Sequence, residues 1–383
     1  WVKAKGTTLG ADNGIGVAAC MAILTSTDIP HGPLEVLITS TEETGMDGAN
    51  GLKAGMLKGE ILLNLDSETE GELYVGCAGG IDSTIQFKYK EENVPADSKA
   101  YRIGVKGLKG GHSGMDINLG RGNSNKLLFR FLKTYTKDLG LRMASISGGT
   151  LRNAIPRESF AVVILPAANT ARLEAALKEA EAIYKAELGA KEPNLQLIAE
   201  NTGMPAFVID TCTQFRLINS ILACPNGAVR MIDSMPDTVE TSNNLAIVQS
   251  ENGKIFIKTL LRSSVETAKE ALAQSIQAVF ELADADEISF DGAYPGWKPN
   301  PDSAILHEMQ HVYEKLYGKK PAIMAIHAGL ECGLLGSKYP NWDMISFGPT
   351  LCSPHSPDER ANIPSVAKFW EYLKATLKDI PRK

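Results

Sequence analysis

Two rhythms of apolar residues divide this chain. Over residues 1–79 the apolar positions form nearly unbroken runs bounded by turn residues. Residues 15–25 (IGVAACMAILT) are apolar and Ala-rich and predict a buried helix. Residues 34–39 (LEVLIT) and 60–66 (EILLNLD) predict buried strands, because a strand covered on both faces shows no polar alternation. Helix and strand in turn predict a mainly parallel sheet with helices on its faces. Between residues 80 and 290 the rhythm changes. FAVVILPA (160–167) precedes an amphipathic helix pattern at 169–188, with Asn169 or Thr170 as N-cap. KIFIKTLLR (254–262) precedes a second such pattern at 263–285, so the strand–helix pair occurs twice. The Gly- and Pro-dense stretch 290–304 (FDGAYPGWKPNPDSA) marks a boundary. After it the first rhythm returns in AILHEMQHVYEKLYG, PAIMAIHAG and WDMISFGPT. The expected fold class is α/β: a mainly parallel-sheet domain over 1–79 and 291–383, interrupted by an inserted, duplicated α+β domain over 80–290.

Composition narrows the function classes. At 383 residues, 44% hydrophobic and 22% charged, the chain can build two ordinary globular cores. No apolar run reaches the roughly 20 residues of a membrane-spanning helix. A net charge of −6 argues against a nucleic-acid partner. Cys20, Cys77, Cys212, Cys224, Cys332 and Cys352 are scattered without a C-x-x-C pair, which predicts reduced thiols and a cytoplasmic location. The chain opens on WVKAKGTTLGADNG without an initiator methionine, and is expected to begin inside a longer protein.

Acidic residues punctuate the first rhythm. Glu42 and Glu43 follow the apolar run 34–39, Asp66 ends the run 60–66, Asp12 precedes a helix, and His355 follows WDMISFGPT. Each has an ordinary structural explanation alone: Asp12 as N-cap, Asp66 as turn former, His355 as a loop histidine. Together they stand at segment ends that a parallel sheet brings into one cleft. Carboxylates plus imidazole, without cysteine, suit Zn²⁺, Mn²⁺ or Co²⁺ at a hydrolytic site. Paired cations also offset the repulsion between adjacent glutamates. One of that pair is then a metal ligand and the other a free general base.

The motifs GADNGIG, TEETGMDGA, NLDSE, GCAGG, GLKGGHSG, GTLRNAIPRE, HAGLECG and SPHSPDE resemble those of the dizinc peptidase family of glutamate carboxypeptidase, peptidase T and acetylornithine deacetylase. Within it they are most similar to the bacterial aminoacyl-histidine dipeptidases. The resemblance runs from Thr7 to the C-terminus and keeps the family's motif order. It implies that Asp12 bridges two zinc ions, that Glu43 and His355 complete one site, and that Asp66 belongs to the other. Glu42 would be the general base. His112 would reach the substrate's oxyanion, and Asn153 and Arg262 would hold its C-terminal carboxylate. Gly329 would offer backbone contacts. The inserted domain would act as a lid and as the homodimer interface. Two ordinary explanations stand beside these: His112 as the residue that orders a glycine turn, and Arg262 as the partner of a neighbouring acid. His327 reads as structural or as supporting the ligands, and His31, His307 and His311 as surface or core histidines. The family's H-x-D motif is absent, since no histidine here has Asp two positions on; one ligand of the second metal is therefore expected from a preceding segment.

The expected function is hydrolysis of dipeptides, of Xaa-His type such as carnosine, by water activated between two zinc ions, with Mn or Co sharing the same ligands. The expected partner is a small peptide substrate, with no nucleic acid and no membrane. A deacylase of N-acyl amino acids on the same fold is the alternative. A non-catalytic binding relative is disfavoured, because Asp12, Glu42, Glu43, Asp66 and His355 are all present.

Overall fold

The strand Ile61–Asn64 forms within the second apolar run and pairs in parallel with Asp343–Ser346, from Ile61↔Asp343 to Asn64↔Ser346. Asp343–Ser346 meets Glu72–Cys77 in antiparallel fashion, and Glu72–Cys77 runs parallel to Ala322–Ile326. The result is a four-stranded sheet in which two of the three pairings are parallel. A computed structural model describes this architecture for residues 1–380. The chain folds as two compact units, Trp1–Ala78 with the residues from Pro295 onward, and Gly79–Tyr294.

Helices cover the four-stranded sheet for readable reasons. Ser303 caps Ala304–Tyr317 by accepting the Leu306 N–H at 3.1 Å, and its own hydroxyl donates to Asp343. Asn362 caps Ile363–Asp379 in the same way through Ser365. Their apolar stripes face each other, and the Tyr372 hydroxyl donates to the Met309 carbonyl at 2.7 Å.

Three expectations for the first rhythm are corrected. Residues 34–39 belong to no strand, and Ile38 is 56% exposed. An extended segment becomes a strand only through a ladder partner, and this one has none among the described residues. The helix Ala11–Thr25 exists but is not buried: only Ala11, Gly16, Ala19 and Ile23 are covered, while Met21 and Leu24 face outward. Glu42 and Glu43 end no strand. They open the one-turn helix Glu42–Gly45, behind Thr41 in the left-handed region at φ 57°.

The unit Gly79–Tyr294 is built on a nine-stranded antiparallel sheet. Its strand order places Gln196–Asn201 at one edge and Glu287–Tyr294 at the other. Both strand–helix pairs of the sequence lie in it: Ser159–Pro166 leading to Thr170–Leu188, and Lys254–Ser263 leading to Glu266–Leu282. Phe87, Phe129, Phe131 and Phe280 anchor a large core within it. All six cysteines are free, and no helix among the described residues is long and apolar enough to cross a membrane.

Candidate metal and catalytic site

Three segments of the first unit converge. Asp12 sits at the start of the helix Ala11–Thr25, Glu43 on the one-turn helix, and His355 in the loop between strands Leu351–Cys352 and Arg360–Ala361. His355 Nε2 lies 2.9 Å from Asp12 Oδ2 and 2.8 Å from Glu43 Oε1. One ligand atom from each of the three falls within 4.8 Å of the others. His355 adopts φ 57°, a left-handed conformation that non-glycine residues rarely enter. Its loop is braced by Ser356, whose hydroxyl donates to the Ser353 carbonyl and accepts the Asp358 N–H.

Asp66 lies two residues past its strand, on a turn held from below. Asn64 Oδ1 accepts the Asp66 N–H at 3.2 Å and the Ser346 hydroxyl at 2.6 Å, and Ser346 in turn bonds to Ser67. Gly348 is packed against Ser67 so closely that a Cβ there would collide with the Ser67 carbonyl.

The electrostatics show that these acids share one environment. Burial pushes the Asp66 carboxyl up to about 8, reinforced by the charges of Asp12, Glu42, Glu331 and Glu43. Burial likewise lifts Glu42 to about 7, with Glu43, Glu331 and Asp12 adding to the shift and His355 opposing it. For His355 burial alone would lower the pKa; the hydrogen bond to Asp12 and the charges of Glu43 and Asp12 outweigh it and raise the value. Asp12, Glu42, Glu43, Asp66 and Glu331 line one cavity of about 870 Å³. Two carboxylates and an imidazole at these distances fit a borderline divalent ion such as zinc.

The second unit holds its own cluster around Ser113. The Ser113 N–H donates to the Asn153 carbonyl at 2.8 Å, and Arg262 Nε reaches the Ser113 hydroxyl at 3.4 Å. His112 Nδ1 accepts the N–H groups of Gly114 and Met115, at 3.2 and 3.1 Å. An Nδ1 that accepts leaves the ring proton on Nε2, so the imidazole offers one N–H donor. Burial and the nearby Arg262 lower the His112 pKa against the opposing effect of Asp116, which favours this neutral form. Arg262 is 6% exposed and donates to the Tyr294 hydroxyl at 2.9 Å. It makes no ion pair with a carboxylate among the described residues. Gly329 lies in the loop between the strand Ala322–Ile326 and the helix Glu331–Lys338. His327 is buried beside it, whereas His307 and His311 are exposed on their helix.

Sequence reasoning passed over two acids. Glu331, inside HAGLECG, is 7% exposed and accepts the Thr39 hydroxyl at 2.8 Å. Glu359, inside SPHSPDE, is fully buried and accepts backbone N–H groups next to Asp12. Both lay within quoted motifs; their partners lie hundreds of positions away.

Residues 103–192 match the peptidase dimerisation domain of M20 peptidases. The chain is similar to the cytosol non-specific dipeptidase of Escherichia coli (strain K12), 45% identical over all of this chain and 79% of that protein. The crystal structure of an aminoacylhistidine dipeptidase from Vibrio alginolyticus matches with a TM-score of 0.97 and 50% identity, covering 100% of this chain and 78% of that one. The aminopeptidase PepT of Bacillus cereus, at 14% identity and a TM-score of 0.50, shares the fold.

Proposed function

The chain belongs to the M20 peptidase family and is a peptidase of dipeptidase type, and on that premise we propose that it hydrolyses Xaa-His dipeptides with two zinc ions. The observation that carries the reading is the cluster of Asp12, Glu43 and His355 within 4.8 Å, beside a Glu42 whose pKa stands at about 7. Asp12, Glu43 and His355 would hold one ion, and Asp12 with Asp66 would contribute to the other. Bound there, the ions supply an acidified water and polarise the peptide carbonyl.

The chain's own residues do the rest. Glu42 takes the proton of the attacking water as the new C–O bond forms, and delivers it to the leaving amine as the C–N bond breaks. The neutral His112, with its proton on Nε2, donates to the oxyanion. Arg262, buried and in no ion pair among the described residues, takes the substrate's C-terminal carboxylate in a bidentate pair, helped by Asn153. Gly329 contributes backbone contacts. The unit containing residues 103–192 would serve as lid and homodimer interface, and the relatives' names support a cytoplasmic dipeptidase.

The test is Glu42→Ala in the metal-loaded protein, assayed on carnosine and other Xaa-His dipeptides beside acetyl- and succinyl-amino acids. A general base contributes about 10²–10⁴-fold, so kcat should fall by that range while metal affinity holds. A kcat within about tenfold of wild type removes Glu42 from that role. Faster turnover of N-acyl amino acids than of dipeptides converts the assignment to a deacylase.

A further inference from the structure

We infer that Glu359 is a positioning residue, a buried carboxylate that sets the Asp12 and His355 loops in the geometry that receives the metal. This rests on the metal-dependent reading above and deepens it. Glu359 stands four residues after His355 in the same loop, immediately before the strand Arg360–Ala361. Its side chain crosses to the other loop of the site. One carboxylate oxygen accepts the Gly10 N–H at 2.6 Å, and the other accepts the Asp12 N–H at 3.0 Å. Each oxygen therefore takes one donor from the turn that presents Asp12. Gly10 can offer its N–H there because it adopts φ 74°, open to glycine at no steric cost. The loop end is fixed as well, since the Glu359 N–H donates to the Ser356 carbonyl at 3.0 Å.

The bond network closes a ring: Asp12 side chain to His355 side chain, along the loop to Glu359, and back to the Asp12 backbone. Neither loop can shift without breaking a bond to a fully buried anion.

A neutral acceptor would serve if anchoring were the whole task. A carboxylate with 0% exposure and no cationic partner among the described residues is a costly choice beside Asp12 and Glu43. It becomes a favourable one when the loops it joins hold a divalent cation, whose charge offsets the crowd of anions. Glu359 thus does for the backbone what a carboxylate behind a metal-bound histidine does for its ring.

The experiment compares wild type with Glu359→Gln, which keeps the shape but turns an amide NH₂ toward a backbone N–H. Metal-stripped protein is titrated with Zn²⁺ against a chelator and with Co²⁺ by absorption, and the metal-free melting temperature is recorded alongside. Supporting residues of this kind change metal affinity by about 10–100-fold. The expected result is that loss of affinity and an altered Co²⁺ spectrum in a protein that is still folded, with saturating metal restoring kcat and the dipeptide KM unchanged. Glu359→Asp, with the charge retained on a shorter arm, should fall between the two. Metal affinity within about threefold of wild type overturns the inference, and so does a Gln variant that does not fold. A wild-type protein that binds no metal refutes the proposed function instead.

Discussion

At the scale of single residues the site is intolerant of added volume. Gly348 lies against the carbonyl of Ser67, one residue after Asp66, and its φ is not in the left-handed region, so the constraint is space alone. Gly348→Ala should push the Asp66 turn off its Asn64 support. Overpacking of this kind costs about 1–3 kcal/mol, and a displaced Asp66 should lower kcat/KM as well. Thermal melts and steady-state kinetics check both; an unchanged Tm with unchanged kinetics would show that the turn has slack. Asp12, Glu43 and His355, which meet within 4.8 Å, were legible in the sequence as candidates because metal-type side chains beside apolar segments form a pattern. Glu331 and Glu359 were not, because a single acid inside a loop motif looks the same whether it caps a turn, faces water or reaches across the fold. Their roles come from Thr39 and from the N–H groups of Gly10 and Asp12, and no spacing rule connects those positions.

At the scale of elements, the segment that carries Glu42 and Glu43 depends on a clamp that no periodicity reveals. Lys338, at the end of the helix Glu331–Lys338, donates to the carbonyls of Ala49, Asn50 and Leu52 at 2.8, 2.5 and 2.7 Å. Those carbonyls end the short helix Asp47–Gly51, which follows directly on Glu42–Gly45. Five residues make too few internal bonds to hold a helix alone, and a cation on its terminal carbonyls supplies what is missing. Lys338→Met keeps most of the aliphatic stem and removes the charge. It should cost about 1–3 kcal/mol by leaving carbonyls without a donor, and should lower kcat by loosening Glu42 and Glu43. Faster hydrogen exchange at residues 42–51 would locate the effect; wild-type exchange there would sink the clamp. Long amphipathic helices such as Thr170–Leu188 and the strands beside them could be read because their pattern repeats over several turns. Residues 34–39 misled for the opposite reason. Their composition satisfies a buried strand, but strand formation is decided by a neighbour, and composition carries no information about the neighbour.

At the scale of the whole molecule, gathering so many carboxylates in one place links stability to pH and to metal. Glu42 and Asp66 stand at about 7 and about 8 in the metal-free protein, against roughly 4 for such groups in an unfolded chain. Between those values the folded state binds more protons than the unfolded one. This contribution to stability should therefore be fully present only below about pH 4 and be lost progressively as pH rises from there through about 8. His355 is raised too, which acts in the same direction, since its contribution is present below its unfolded value and disappears above its folded one. A divalent cation reverses the slope. It binds the deprotonated ligands, so its affinity grows as the protons leave, and at a hundred times Kd it adds about 2.7 kcal/mol. Melting the chelator-treated protein from pH 5 to pH 8 should give a falling Tm, and the same series with excess Zn²⁺ a level or rising one. A chelated protein whose Tm does not fall over that range would mean that Glu42 and Asp66 are neither buried nor crowded by other carboxylates in solution. The cluster on which the metal site depends would then have to be abandoned.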